Sequence, residues 1–128
     1  MTRRSVHQVR VPPRFCDAQG MVHAIRYPEF IEDAFLAWLD DNHLPYSDLQ
    51  ARQLDLVIGH LEVHYRSPAR LGEELKVTTN ASRSTRSTLR VEFEIGRDDA
   101  VLAEGSVTYI TVRDGKSTPL PEELRTDE

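Results

Sequence analysis

Residues 27–42, YPEFIEDAFLAWLDDN, decide the fold. Tyr27, Phe30, Ile31, Ala34, Phe35, Trp38 and Leu39 recur at i, i+3, i+4 and i+7, which on a helix makes one broad apolar stripe. Glu29, Glu32, Asp33 and Asp40 fall off that stripe. Pro28 is tolerated only within a first turn, so the helix starts between Ala24 and Tyr27. It ends near Asn42, ahead of Pro45. A stripe this wide needs an apolar surface to cover it.

That surface is supplied by the strands on either side. SVHQVRV (5–11) predicts a first strand, stopped by Pro12 and Pro13, which cannot continue a ladder. Beyond an expected loop from Leu44 to Gln53 the chain reads as strand throughout. In LVIGHLEVHYRS (56–67), Val57, Leu61, Val63 and Tyr65 form an apolar face, with His60, Glu62, His64 and Arg66 opposite. Leu75, Val77 and Thr79 alternate more weakly. STLRVEFEI (87–95) alternates cleanly, with Leu89, Val91, Phe93 and Ile95 on one face. GRDDA (96–100) predicts a hairpin turn, and 101–113 a long returning strand. The Pro- and Glu-rich tail from Ser117 to Glu128 is expected to be loose. Alternation in every strand predicts an antiparallel sheet with one apolar face. The expected architecture is therefore α+β, a curved five-stranded antiparallel sheet wrapped around one long helix, in a single domain over 1–128.

Composition narrows the function. At 128 residues the chain fills one domain, and 39% hydrophobic with 29% charged residues is a soluble globular balance. A formal charge of -5 argues against nucleic acid as the partner. The lone Cys16 leaves no internal disulfide and suits a reducing compartment. No apolar run reaches membrane-spanning length, and the N-terminal MTRRSVHQVRV lacks the apolar core of a secretory signal. The cytoplasm is the expected location.

Upstream of the helix, DAQGMVHAIRYPEF (17–30) sets Asp17 beside a glycine turn and just before the helix end. This segment resembles the signature of hotdog-fold acyl-CoA thioesterases of the 4-hydroxybenzoyl-CoA thioesterase type. VHYRSPARLGEELKV (63–77) resembles the same family's strand, Pro-Ala turn and next strand. The likeness covers roughly residues 5–113. It implies a hotdog fold with sheet order 1-3-4-5-2, in which the strand at 56–66 is an edge that pairs across a homodimer or homotetramer. It implies an acyl-CoA substrate, with no cofactor beyond the coenzyme A that the substrate carries. Ala24, Arg26 and Pro28 depart from the residues that many relatives hold there.

Thioester hydrolysis needs a polarised carbonyl and a nucleophile, while the thiol, with a pKa of about 8.5, already leaves well. Unpaired N–H groups at a helix start suit a developing oxyanion. The resemblance assigns that donor to the backbone N–H of Ala24, with Asp17 as nucleophile or general base. Asp17 has a plainer reading as a turn aspartate, the commoner fate of a loop Asp. Gly20 permits the sharp turn. His23 is expected to orient water or touch substrate, or else to be a polar residue at the cleft edge. Tyr27 matches the family tyrosine, a substrate-binding candidate whose place on the apolar stripe also predicts core packing. Cys16 has no fixed basic partner and reads as a small hydrophobe. His60 and His64 lie four strand residues apart, about 13 Å, too far to share one metal as an isolated pair. Through the resemblance His60 is expected to line a partner's pocket. Arg83 and Arg86 sit at a strand-to-strand turn. They read as a solvated hairpin; the resemblance instead implies a turn near the nucleotide end of the ligand, where arginines would grip coenzyme A phosphates. Two other readings stand beside acyl-CoA hydrolysis: hydrolysis of a carrier-protein thioester, and a non-catalytic acyl-CoA-binding domain.

Overall fold

The computed structural model describes residues 4–126. One long helix, α1 (Tyr27–Asp41), lies against a curled antiparallel sheet of β1 (Arg4–Arg10), β2 (Asp55–Tyr65), β3 (Glu74–Ser84), β4 (Thr88–Arg97) and β5 (Ala100–Arg113). The strand order is β1-β3-β4-β5-β2, as the resemblance implies. All seven residues of the apolar stripe are buried. The helix rests chiefly on β1 and β3, while the Phe35 ring stacks on Tyr109 of β5 at 4.0 Å between centroids. A short helical turn, Ala24–Arg26, leads directly into α1.

Three sequence expectations are corrected. First, the connection from Leu44 to Gln53 holds a second helix, α2 (Tyr46–Ala51). It buries one side chain, Leu49, between the equally buried Leu44 and Leu54, so it is too short to show a helical period. Second, Val57 does not share a face with Leu61. The β2–β5 register shifts between Ile58 and His60, leaving Gly59 as a bulge, and a Cβ there would strike Ile110 Cδ1 at 2.5 Å. Ile58 lies opposite the buried Tyr109 and Leu61 opposite the buried Val107, so the inner face passes from Ile58 to Leu61 across the bulge.

Third, the tail is not loose. An Asp114-Gly115 turn returns the chain as β6 (Lys116–Ser117), paired with the end of β5. Beyond it Leu120 and Leu124 are 2% and 0% exposed, and Glu123 forms a two-pronged ion pair with Arg52. Two apolar residues in a polar run make no local signal; tertiary packing alone fixes them. The last two residues of the tail lie outside the described residues.

One surface remains open. β2 is an edge strand, and its inner-face side chains Ile58, Leu61 and Tyr65 are 46%, 38% and 51% exposed. An apolar edge with free backbone groups is a pairing surface.

Candidate active site

Three short extended runs, 15–17, 21–23 and 69–71, meet ahead of α1 through the bridges Cys16–Val22 and Met21–Arg70. Asp17 and Met21 face each other across the first pair, the Asp17 N–H donating to Met21 O at 2.9 Å. Gly20 closes the turn with φ +79°, a conformation that costs glycine little, and its N–H donates to Asp17 O. The Asp17 carboxylate is fixed by its own turn: Oδ1 accepts the N–H groups of Gln19 (2.9 Å) and Met21 (3.0 Å). Among the described residues Oδ2 accepts no hydrogen bond.

These contacts set the charge. The Met21 amide holds the Asp17 carboxyl below its usual range, against burial, the next-largest effect, which pushes it up. The Gln19 amide and then His23 and Arg70 act in the same direction as Met21. The carboxylate is therefore kept ionised mainly by turn amides rather than by the helix end.

The next residues form the donor side. His23 N–H donates to Phe15 O and Arg26 N–H to His23 O, and among the described residues the amides of Ala24 and Ile25 at the start of the turn have no backbone acceptor. His23 and Ala24 are both exposed. The structure thus brings Asp17, Gly20, His23 and the Ala24 amide together. Tyr27 is buried, and its hydroxyl accepts the Ala69 N–H at 3.1 Å, so it anchors the first turn from the core.

The other candidates lie elsewhere. His60 projects from the outer face of β2 beside Glu62, whose carboxyl is held low by His64 (2.6 Å) and then by His60 (3.6 Å). That face points away from α1. Arg83 and Arg86 lie at and in the β3–β4 turn, whereas the Asp17 hairpin pairs through Met21 with Arg70, just ahead of the start of β3, and β3 then runs on for roughly 33 Å at 3.3 Å per residue. Arg83 lies directly opposite Arg90 across a bulge. Like charges so placed repel. Arg90 has Glu92 at 3.7 Å, while among the described residues no carboxylate pairs with Arg83 or Arg86.

The sequence matches the thioesterase-like superfamily over residues 11–127. The chain belongs to that superfamily. Its class is that of a thioester hydrolase. It is 31% identical over 120 residues to the acyl-CoA thioesterase YbgC of Haemophilus influenzae, covering 91% of this chain and 88% of that one. Crystal structures of hypothetical proteins from Aquifex aeolicus and Thermus thermophilus superpose with TM-scores of 0.90 and 0.89, at 25% and 28% identity. Each covers 94% of this chain, and 99% and 93% of the respective relative. A gentisyl-coenzyme A thioesterase at 19% identity superposes with a TM-score of 0.89 and shares the hotdog fold.

Sequence reading missed one residue that contacts this candidate site. Tyr65, the last residue of β2, donates its hydroxyl to the Ala24 carbonyl at 2.8 Å and packs edge-on against Tyr27 at 5.1 Å. The edge strand therefore holds the turn that carries the free amides. Its only sequence signal is a tyrosine ending an alternating strand. A hydrogen bond of this kind is worth about 0.5–1.5 kcal/mol. Tyr65→Phe should lower kcat by roughly two- to tenfold with little change in KM, measured by thiol release.

Proposed function

We propose that this chain hydrolyses acyl-CoA thioesters, with Asp17 as base or nucleophile and the Ala24 amide as oxyanion donor. One observation carries the reading: an ionised carboxylate, fixed through one oxygen and open at the other, lies in the hairpin that leads into a helical turn whose first two amides have no acceptor among the described residues. The acyl carbonyl oxygen takes the Ala24 N–H and gains charge there as the carbon becomes tetrahedral. Asp17 either accepts a proton from the attacking water or attacks first to form a mixed anhydride that water then opens. The thiolate of coenzyme A leaves, and the acyl group departs as the free acid. His23 orients the water. No metal or redox cofactor enters these steps, so EDTA should leave turnover unchanged. A cytoplasmic location belongs to the same reading and is supported by the lone cysteine, which suits a reducing compartment. Among the described residues no helix is long and apolar enough to cross a membrane.

The same reading requires a second copy. A twofold axis that joins two β2 edges antiparallel sets the Asp55 end of one strand beside the Tyr65 end of the other. The partner's β3–β4 turn then lies on the Asp17 side of the seam. Arg83 and Arg86 of one chain are too far from its own Asp17 to share one ligand with it, so they serve the site across the interface, as homodimer or homotetramer. Replacing both with Ala should raise KM for an acyl-CoA about tenfold or more, with kcat little changed. A truncated thioester without the nucleotide should show no such rise. Equal losses on both substrates would show that the turn acts through structure alone.

A further inference from the structure

The β3–β4 turn does not stand free. Arg86 O accepts the Leu120 N–H at 2.7 Å, Ser87 O the Thr111 N–H at 2.8 Å, and Ser84 Oγ the Thr126 N–H at 2.9 Å. Two of these three donors belong to the C-terminal strap, residues 118–126. The strap is itself stiff and anchored. Pro119 and Pro121 fix the backbone on both sides of Leu120. Leu120 and Leu124 are sunk into the core, and Glu123 locks onto Arg52 at the end of α2. Arg113 adds a hydrogen bond to Arg52 O.

This strap holds a turn that gathers like charges. Arg83 and Arg90 face each other across the strand pair, and Arg86 projects just beyond. Arg90 has Glu92 beside it, but Arg83 and Arg86 have no carboxylate partner among the described residues, and like charges so placed repel one another and drift apart unless the backbone beneath them is held. Hydrogen bonds at Ser84, Arg86 and Ser87 supply that restraint.

We propose that the C-terminal strap is a positioning element for ligand binding: docking of Leu120 and Leu124 fixes the Arg83–Arg86 turn in the form that grips the anionic, phosphate-bearing end of the substrate. This rests on the reading of that turn given above. The strap touches no reacting atom, so its effect falls on affinity and not on the chemical step. Only substrates that carry the phosphates should feel it.

The test uses the full chain with Leu124→Ala. It loosens the strap by removing one fully buried side chain. KM for an acyl-CoA should rise roughly three- to tenfold with kcat unchanged, and KM for the matching truncated thioester should not move. Ser84→Ala, which removes both contacts of Ser84 Oγ with Thr126, to its N–H and to its hydroxyl, should shift the same ratio at near-native stability, so poor folding of the first variant leaves the test intact. Equal changes on both substrates, or none with either variant, would overturn the proposal. The Arg83→Ala/Arg86→Ala protein separates the two levels. If it too leaves KM unmoved, the phosphate reading of the turn falls and the strap proposal with it. If it raises KM while the strap variants do not, the strap proposal falls alone.

Discussion

Asp17→Asn is expected to lower kcat by roughly 10²–10⁴-fold, the span of a positioned acid or base. Asparagine keeps an oxygen that can accept the Gln19 and Met21 amides, so the turn survives, while the charge and basicity go. KM and melting temperature should hardly change. A purely structural aspartate predicts the reverse, a lower melting temperature with activity intact in the folded fraction. Asp17→Ala, which loses the turn bonds as well, should be both inactive and less stable.

The pH dependence follows from the same contacts. The folded carboxyl of Asp17 ionises below the ordinary aspartate value of about 3.9. Its contribution to stability is present above the unfolded value and is lost as pH falls through the lower folded one. The base form is likewise retained through mildly acidic pH. No acid limb from Asp17 should therefore enter kcat near pH 5, a pH about one unit above the ordinary aspartate value. An acid limb at or above that pH would point to a titrating group other than Asp17.

The second large effect is expected at the edge strand. Leu61 lies on the inner face of β2, partly exposed, in the middle of the apolar edge. Leu61→Asp puts an unpaired charge into the proposed seam, and a buried charge without a partner is strongly destabilising to an interface. The variant should be monomeric by light scattering at about micromolar concentration and should lose activity roughly 100-fold or more. Its far-ultraviolet circular dichroism should stay native, because Leu61 adds little to the monomer core. A wild-type protein that is itself monomeric at that concentration, with full activity, would remove the two-copy site.

The sequence is legible where one local pattern determines one structure. The stripe from Tyr27 to Leu39 needed nothing beyond its spacing, and the alternation of STLRVEFEI placed β4 and its inward face. Asp17 and Gly20 were readable because turn chemistry and a helix start lie within a few residues of each other. What stayed hidden depends on distant contacts. The bulge at Gly59 reverses the facing of β2 by a single residue, and Tyr65 meets Ala24 across 41 positions of sequence. Leu120 and Leu124 look like tail residues until the core end they fill is seen. The arginine turn was legible as a charge cluster, but its distance from Asp17 within one chain emerges only from the β3 register.

The most direct test is thiol release by the wild-type protein from short, long and aromatic acyl-CoAs, with the same acyl groups on a phosphopantetheine carrier protein run in parallel. Hydrolysis of at least one acyl-CoA, with kcat/KM of order 10⁴ M⁻¹s⁻¹ or above and exceeding that for the carrier, is the predicted result. Turnover confined to the carrier would move the substrate to the carrier-bound thioester. Tight binding of coenzyme A or an acyl-CoA with no thiol released from any substrate would contradict hydrolysis and leave a binding domain in its place.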